Sequence, residues 1–274
     1  MSVVICDTNI FYDIDRGAIA KAWFEKDQIC GTLLTQIEFA KSPNMIDRLS
    51  FLKGAVRAMN HHCSTIIPLS PPDFTIKKFI PDYVVDPRWY WAARESFDTL
   101  LQRNFDIKID KEIVKRAISD YEKPWTDIRL KENKRLIELR NDENHKEKFQ
   151  SKEFRIAIKD ADLTQSTKKD IIKDLKQYHS ENYPNQPIEI DENHESWNDL
   201  EFMLNVLTDY NKRFFEKQAR TVKKNDLGDL AITAYVGRND LYWTNDEDFI
   251  DIIKANPITA KYLYHHSGKD RLRK

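Results

Sequence analysis

The chain has 274 residues, of which 41% are hydrophobic, enough to build a substantial core. Its 44 basic and 45 acidic residues give a net charge of −1, so global charge argues neither for nor against a nucleic-acid partner. No apolar run approaches the roughly 18 residues of a membrane span, and the three cysteines lack any CxxC spacing, which is typical of buried thiols in a reducing compartment. We therefore expect a cytoplasmic protein without membrane association.

The first predicted element is a buried strand, Val3-Val4-Ile5-Cys6, which runs directly into Asp7. Apolar runs rich in β-branched residues are typical of a central strand in a parallel sheet. In open α/β sheets, ligands bind beyond the carboxyl ends of the strands, which is where Asp7 stands. Asp7 is therefore the first candidate for a functional residue.

The elements that follow, up to residue 68, alternate between helix and strand. We expect a helix over 18–25, a strand over 28–34, a helix with Thr35 as N-cap and Glu38 at the capping-box position, and an amphipathic helix over 44–61. This alternation predicts an α/β fold with a parallel sheet flanked by helices.

Five prolines between residues 68 and 87 interrupt this pattern. The polar stretch beyond them is predicted to form helices over 89–104, 111–122, 126–146, 167–182 and 196–220. The α/β pattern then resumes with a helix opening at Asp226, a strand over 241–244 and a helix from Phe249. We thus expect a core made of residues 1–68 and 222–274, interrupted by a large, mostly helical insertion over 69–221.

Six carboxylates stand at strand ends or at the starts of helices next to strands: Asp7, Glu38, Asp226, Asp229, Asp246 and Asp248. Hard cations such as Mg²⁺ and Mn²⁺ prefer oxygen ligands, and two such ions can clamp a phosphodiester between them. Converging carboxylates repel one another unless a cation or substrate lies between them. The pattern favours a Mg²⁺ or Mn²⁺ site, although each acid alone also suits a helix cap or a helix dipole.

Four short motifs occur in a defined order: Val3-Val4-Ile5-Cys6-Asp7-Thr8-Asn9, Leu34-Thr35-Gln36-Ile37-Glu38, Asp229-Leu230-Ala231-Ile232-Thr233-Ala234 and Thr244-Asn245-Asp246-Glu247-Asp248-Phe249. This order resembles that of the PIN-domain ribonucleases. The resemblance implies a PIN-like parallel sheet and a Mg²⁺- or Mn²⁺-dependent endoribonuclease that cuts single-stranded RNA. It covers about residues 1–68 and 222–274 and leaves the insertion without a counterpart.

The resemblance also implies a role for each matching residue. The catalytic carboxylates would be Asp7, Glu38, Asp229 and Asp246, and the metal ligands would be these four with Asp226 and Asp248. Asn9 and Thr244 would orient the carboxylates by hydrogen bonding to them without binding the metal themselves. A toxin or defence role follows from family analogy alone. DNA as a second substrate, an inhibitory protein partner and a homodimer stay open.

A basic stretch leads into Asp226 and contains Lys212, Arg213, Lys217, Arg220, Lys223 and Lys224. Runs of this kind usually form a solvated helix face. Because this one adjoins a candidate site residue, we predict that it contacts the phosphates of the RNA substrate.

Two other interpretations stay open. The first is a catalytically inactive PIN-like module that binds RNA or protein. The second is a haloacid-dehalogenase-like phosphatase, which also begins with a strand that ends in Asp. That chemistry needs an acid two residues after the nucleophile, where this chain has Asn9, and an acid or Asn where it has Thr233. We therefore rank the phosphatase last.

Overall fold

The computed structural model describes residues 3–42, 44–85, 91, 94–95, 98, 111–142, 151–184, 186–216, 221–223 and 225–265. Its centre is a four-stranded sheet of β1 (Val4–Cys6), β2 (Ile29–Thr32), β3 (Cys63–Ile67) and β4 (Leu241–Trp243). The strand order is β3-β2-β1-β4, and every pairing is parallel. The expectation of an α/β fold with a parallel sheet is confirmed.

β1 lies inside the sheet, with β2 on one side and β4 on the other. In the β1–β4 register, Ile5 lies opposite Tyr242 and Cys6 lies opposite Trp243. Because side chains alternate along a strand, Ile5 and Tyr242 share one face of the sheet, while Cys6 and Trp243 share the other. The two faces accordingly belong to two separate core clusters.

Helices cover both faces of this sheet. The described α-helices are α1 (Thr8–Asp15), α2 (Leu33–Ala40), α3 (Asn44–Asp47), α4 (Leu49–His62), α5 (Pro71–Phe79), α6 (Lys111–Asn141), α7 (Lys152–Asp160), α8 (Thr164–Asn182), α9 (Glu201–Glu216), α10 (Asp226–Ile232), α11 (Glu247–Lys254) and α12 (Pro257–Ala260). Short 3₁₀ helices span Lys21–Trp23, Glu195–Asn198 and Thr233–Tyr235. Within the described ranges, no helix is long and apolar enough to cross a membrane.

The face that carries Cys6 and Trp243 packs against α1, α2 and α4. The face that carries Ile5 and Tyr242 packs against α9, α10 and α11. Helix α9 falls within the predicted insertion, yet its Phe202 is buried in the same cluster as the sheet residues. The boundary between core and insertion stays a prediction.

The first helix differs from the expectation. It begins at Thr8, directly after β1, whereas most of 18–25 is irregular and contains only the 3₁₀ turn Lys21–Trp23. Ile10 and Phe11 supply the apolar side that buries α1 against the sheet. Gly17, with φ of +72°, adopts the left-handed conformation that ends this segment.

The cap of α2 also differs. Thr32, not Thr35, is the N-cap, and its hydroxyl accepts a 3.1 Å hydrogen bond from the Thr35 backbone N–H. The helix therefore starts at Leu33, three residues earlier than the Gln36 start that a Thr35 cap implies. Glu38 then falls in the second turn, which removes the capping-box role and leaves its carboxylate for other contacts.

Other boundaries shift as well. The predicted helix over 44–61 is divided into α3 and α4, and β3 has no counterpart among the predicted elements. The predicted helices 111–122 and 126–146 are one continuous helix, α6, through Pro124 up to Asn141. Most of the predicted helix 89–104, and residues 143–146 and 217–220, lie outside the described residues.

Candidate active site

Asp7 occupies the N-cap position of α1, yet its side chain does not cap that helix. Its Oδ2 instead accepts a 3.0 Å hydrogen bond from the Thr244 hydroxyl, and Asn9 Nδ2 donates to the same oxygen over 3.4 Å. The side chain is buried, and burial raises the pKa of its carboxyl. The Asp7 side chain therefore does not cap α1, and Thr244, the residue directly after β4, holds it in place instead.

Thr244 connects two of the predicted acids. Its hydroxyl oxygen donates to Asp7 and accepts a 3.1 Å hydrogen bond from the Asp246 backbone N–H. Asp246 is the N-cap of α11, and its Oδ1 accepts a 2.9 Å hydrogen bond from the Phe249 backbone N–H. Asp246 therefore has a structural role that does not depend on any ligand.

Glu38 approaches the same place from α2. It is half-buried and accepts a hydrogen bond from the Thr8 hydroxyl. Burial, and after it the charge of Asp7, raises the pKa of Glu38 to about 7. A Cβ atom at Gly228 would stand 3.1 Å from Glu38 Oε1, so the lack of a side chain there lets α10 lie close to this carboxylate.

Helix α10 carries two further acids, Asp226 and Asp229, in its first turn. Asp226 Oδ2 accepts hydrogen bonds from the Tyr210 hydroxyl and from the Lys223 backbone N–H, the latter at 3.0 Å. The pKa of Asp229 rises to about 9, first because of burial and then because of neighbouring carboxylates. Those neighbours, in order of effect, are Asp7, Asp246, Glu38 and Asp226.

The structure therefore brings together five of the six predicted acids, which we call the carboxylate cluster: Asp7, Glu38, Asp226, Asp229 and Asp246. Its members come from the end of β1, from α2, from the start of α10 and from the loop after β4. Because parallel strands end at one edge, the cluster lies at the carboxyl edge of the sheet.

The sixth acid, Asp248, is placed differently. Its side chain is 72% exposed at the start of α11, and it forms an ion pair with Lys223. Among the described members of the predicted basic stretch, Lys223 contacts the cluster directly, since its backbone N–H also binds Asp226.

The two other described members of the basic stretch donate hydrogen bonds to backbone carbonyls outside the cluster. Lys212 Nζ donates to the Lys159 carbonyl at 3.2 Å, and Arg213 donates to the Asp251 carbonyl at 2.8 Å. Lys217, Arg220 and Lys224 lie outside the described residues. The predicted phosphate contacts of this stretch stay a prediction.

The donor chemistry of the cluster fits a hard divalent cation. All its ligand atoms are carboxylate oxygens, which Mg²⁺ and Mn²⁺ prefer. The mutual repulsion that contributes to the raised pKa values of Glu38 and Asp229 is what a bound cation would relieve. Within the part of the chain that the structure describes, no three His, Cys, Asp or Glu side chains are already arranged to hold a metal ion.

Three residues that shape the site were not predicted from the sequence: Thr8, Tyr210 and Gly228. Thr8 and Gly228 each adjoin a motif acid, so their positions carried a signal, but only the fold reveals that both face Glu38. Tyr210 lies 16 positions before Asp226 within a helix assigned to the insertion, and nothing in the sequence indicated this contact.

Comparison with known protein families, with curated proteins and with solved structures found no match for this chain.

Proposed function

We propose that this chain is a metal-dependent endoribonuclease with a PIN-like core, which hydrolyses phosphodiester bonds of single-stranded RNA. The observation that supports it is the convergence of Asp7, Glu38, Asp229 and Asp246 from four separate segments at one edge of a parallel sheet. Gathering partly buried carboxylates raises the free energy of the folded protein. Such a cost is expected where the acids serve a ligand.

The cluster would hold Mg²⁺ or Mn²⁺ through Asp7, Glu38, Asp229 and Asp246, with Asp226 at its margin. When bound, an ion of this kind lowers the pKa of water and stabilises negative charge on phosphoryl oxygens. The neighbouring polar groups keep the carboxylates in place. Thr244 and Asn9 hold Asp7, and Thr8 holds Glu38.

The substrate class follows from charge together with the resemblance of the motifs. A bare carboxylate cluster repels a phosphodiester, so binding requires cations in the site and basic groups at its rim. Lys223 supplies one basic group, with a side chain that is 61% exposed. The preference for single-stranded RNA rests on the resemblance to PIN-domain ribonucleases.

A cleavage assay with labelled single-stranded RNA and single-stranded DNA, in Mn²⁺ or in EDTA, tests the proposal. The wild type should cut RNA in Mn²⁺ and lose activity in EDTA. Asp229→Asn should abolish cleavage, whereas Asp170→Asn, which neutralises an exposed acid on α8, should cut normally. RNA binding without Mn²⁺-dependent cleavage would favour the inactive binding module instead.

A further inference from the structure

Tyr242 carries a polar group that the fold itself does not use. The residue lies in the middle of β4 and is 0% exposed. Its hydroxyl makes no hydrogen bond of normal geometry among the described residues, although the Thr244 side chain lies near it. An unsatisfied buried polar group destabilises the folded protein, so a phenylalanine would pack the same ring without that penalty.

The ring of Tyr242 lies in the core on the α9 and α11 side of the sheet. It contacts Phe202 and Phe249 with ring centroids 5.8 Å and 6.0 Å apart. A phenylalanine ring would make both contacts equally well. Packing therefore explains the aromatic ring and leaves the hydroxyl unexplained.

The register of the sheet places Tyr242 on the same face as Asp7, two positions before the strands end at the carboxylate cluster. Tyr242 lies opposite Ile5, and Asp7 and Thr244 each stand two positions further along the two paired strands. Since side chains alternate, all four residues lie on the same face. Consistent with that placement, burial and then the charges of Asp7 and Asp229 raise the pKa of Tyr242.

We propose that Tyr242 is a positioning residue of the carboxylate cluster, whose hydroxyl donates a hydrogen bond to Asp7 when a divalent cation is bound. The inference rests on the proposed function. An ionised carboxylate has about four acceptor positions. Thr244 and Asn9 donate to Oδ2, and the Thr8 backbone N–H also stabilises the carboxylate, so one of its acceptor positions is left for a further donor.

This role explains why the hydroxyl is retained at a buried position. A hydrogen bond to an ionised acceptor is about twice as strong as one between neutral groups, and it is stronger still when buried. The bond would form between Tyr242 and a carboxylate whose charge the cation stabilises. Its benefit would therefore appear in cation affinity and not in the stability of the metal-free protein.

Tyr242→Phe tests the inference, with Tyr262→Phe as the matched control. Tyr262 is buried in the same hydrophobic core as Tyr242 and also contacts Phe202. Its hydroxyl donates to Glu201 at 2.7 Å, and Glu201 is not a member of the carboxylate cluster. The readouts are the melting temperature in EDTA and the Mn²⁺ dissociation constant measured by titration calorimetry. Neither readout needs an RNA substrate.

For Tyr242→Phe we expect a metal-free melting temperature at or above that of the wild type, with Mn²⁺ affinity reduced about tenfold or more. Tyr262→Phe should show the opposite pattern, a lower melting temperature with wild-type Mn²⁺ affinity. Equal Mn²⁺ affinity in Tyr242→Phe and wild type would overturn this inference alone. Failure of the wild type to bind Mn²⁺ would overturn both the inference and the proposed function.

Discussion

Thr244 donates a 3.0 Å hydrogen bond to Asp7, although the two residues are 237 positions apart in the chain. The Asp7 backbone N–H also donates to the Trp243 carbonyl at 2.9 Å. Both backbone and side chain of Asp7 are therefore fixed by the segment at the end of β4. The position of this carboxylate depends on the pairing of the first strand with the last.

Thr244→Val removes the hydroxyl with little change in volume, so Asp7 loses its shorter side-chain hydrogen bond and the Asp246 N–H loses its acceptor. We expect the free energy of unfolding to fall by about 1–3 kcal/mol and the Mn²⁺ affinity to fall about tenfold. Urea denaturation and titration calorimetry measure the two effects. Thr244→Ser retains the hydroxyl and should keep most of the stability and most of the Mn²⁺ affinity. Identical behaviour of the Val and Ser variants would contradict a role for the Thr244 hydroxyl in holding Asp7.

Asp229→Asn tests the balance between repulsion and cation binding. The metal-free variant should be at least as stable as the wild type, because one charge of the cluster is gone. In the wild type, Mn²⁺ at 100 times its dissociation constant should stabilise the fold by about 2.7 kcal/mol. That increment should shrink in Asp229→Asn, as followed by thermal melts across a Mn²⁺ series. If the metal-free variant is less stable than the wild type and Mn²⁺ does not stabilise the wild type, the acids of the carboxylate cluster have a structural role only.

The free energy of unfolding of the metal-free protein should depend on pH in the opposite sense to that of a protein whose carboxylates form ion pairs with basic residues. Glu38 and Asp229 have folded-state pKa values of about 7 and about 9, above the value of about 4 in an unfolded chain. Between about pH 4 and pH 9 the folded state therefore holds more protons than the unfolded state. The free energy of unfolding should fall as pH rises through this window.

Urea midpoints measured in EDTA at about pH 5, 7 and 9 check this dependence. Asp229→Asn should show a flatter profile, since one of the groups with a raised pKa no longer titrates. Saturating Mn²⁺ should also weaken the loss of stability at high pH, because cation binding favours the ionised carboxylates. A wild-type midpoint that rises steadily from pH 5 to pH 9 in EDTA would contradict the raised pKa values.

Two substitutions of Asp246 separate its role as a helix cap from the role of its negative charge. Asparagine is as good an N-cap as aspartate, so Asp246→Asn should keep the stability of the metal-free protein while cleavage and Mn²⁺ affinity fall. Asp246→Ala should lose the cap as well, at a cost of about 1 kcal/mol in unfolding free energy. Denaturation and calorimetry on the two variants separate the roles. Normal Mn²⁺ affinity in Asp246→Asn would leave this residue as a helix cap only.

The parts of the fold that the sequence predicted are those with a strong apolar pattern. β1 and β4 were recognised because their apolar residues are buried between helices on both faces. β3 was missed because Ser64 and Thr65 are polar and exposed, so this strand has no continuous apolar run. Helix α6 was divided because an interior proline normally ends a helix, whereas here the helix continues through Pro124.

The site shows the same division between local and long-range information. The acids could be identified from the sequence because each follows a strand or opens a helix. The groups that orient them could not, since Thr8 and Tyr242 look like ordinary members of a helix and a strand. Their contacts with the cluster depend on register and helix packing, which one sequence without related sequences does not specify.

The pairing of β1 with β4 also determines when the carboxylate cluster can form during synthesis. At a translation rate of roughly 5–20 residues per second, the 237 positions between Asp7 and Thr244 take roughly 10–50 s to add. During that interval β1 lacks one of its two neighbouring strands, and the carboxylate cluster lacks Asp246. Under the proposed function, a nascent chain could not cut the messenger from which it is being translated before the segment through Asp246 has been made.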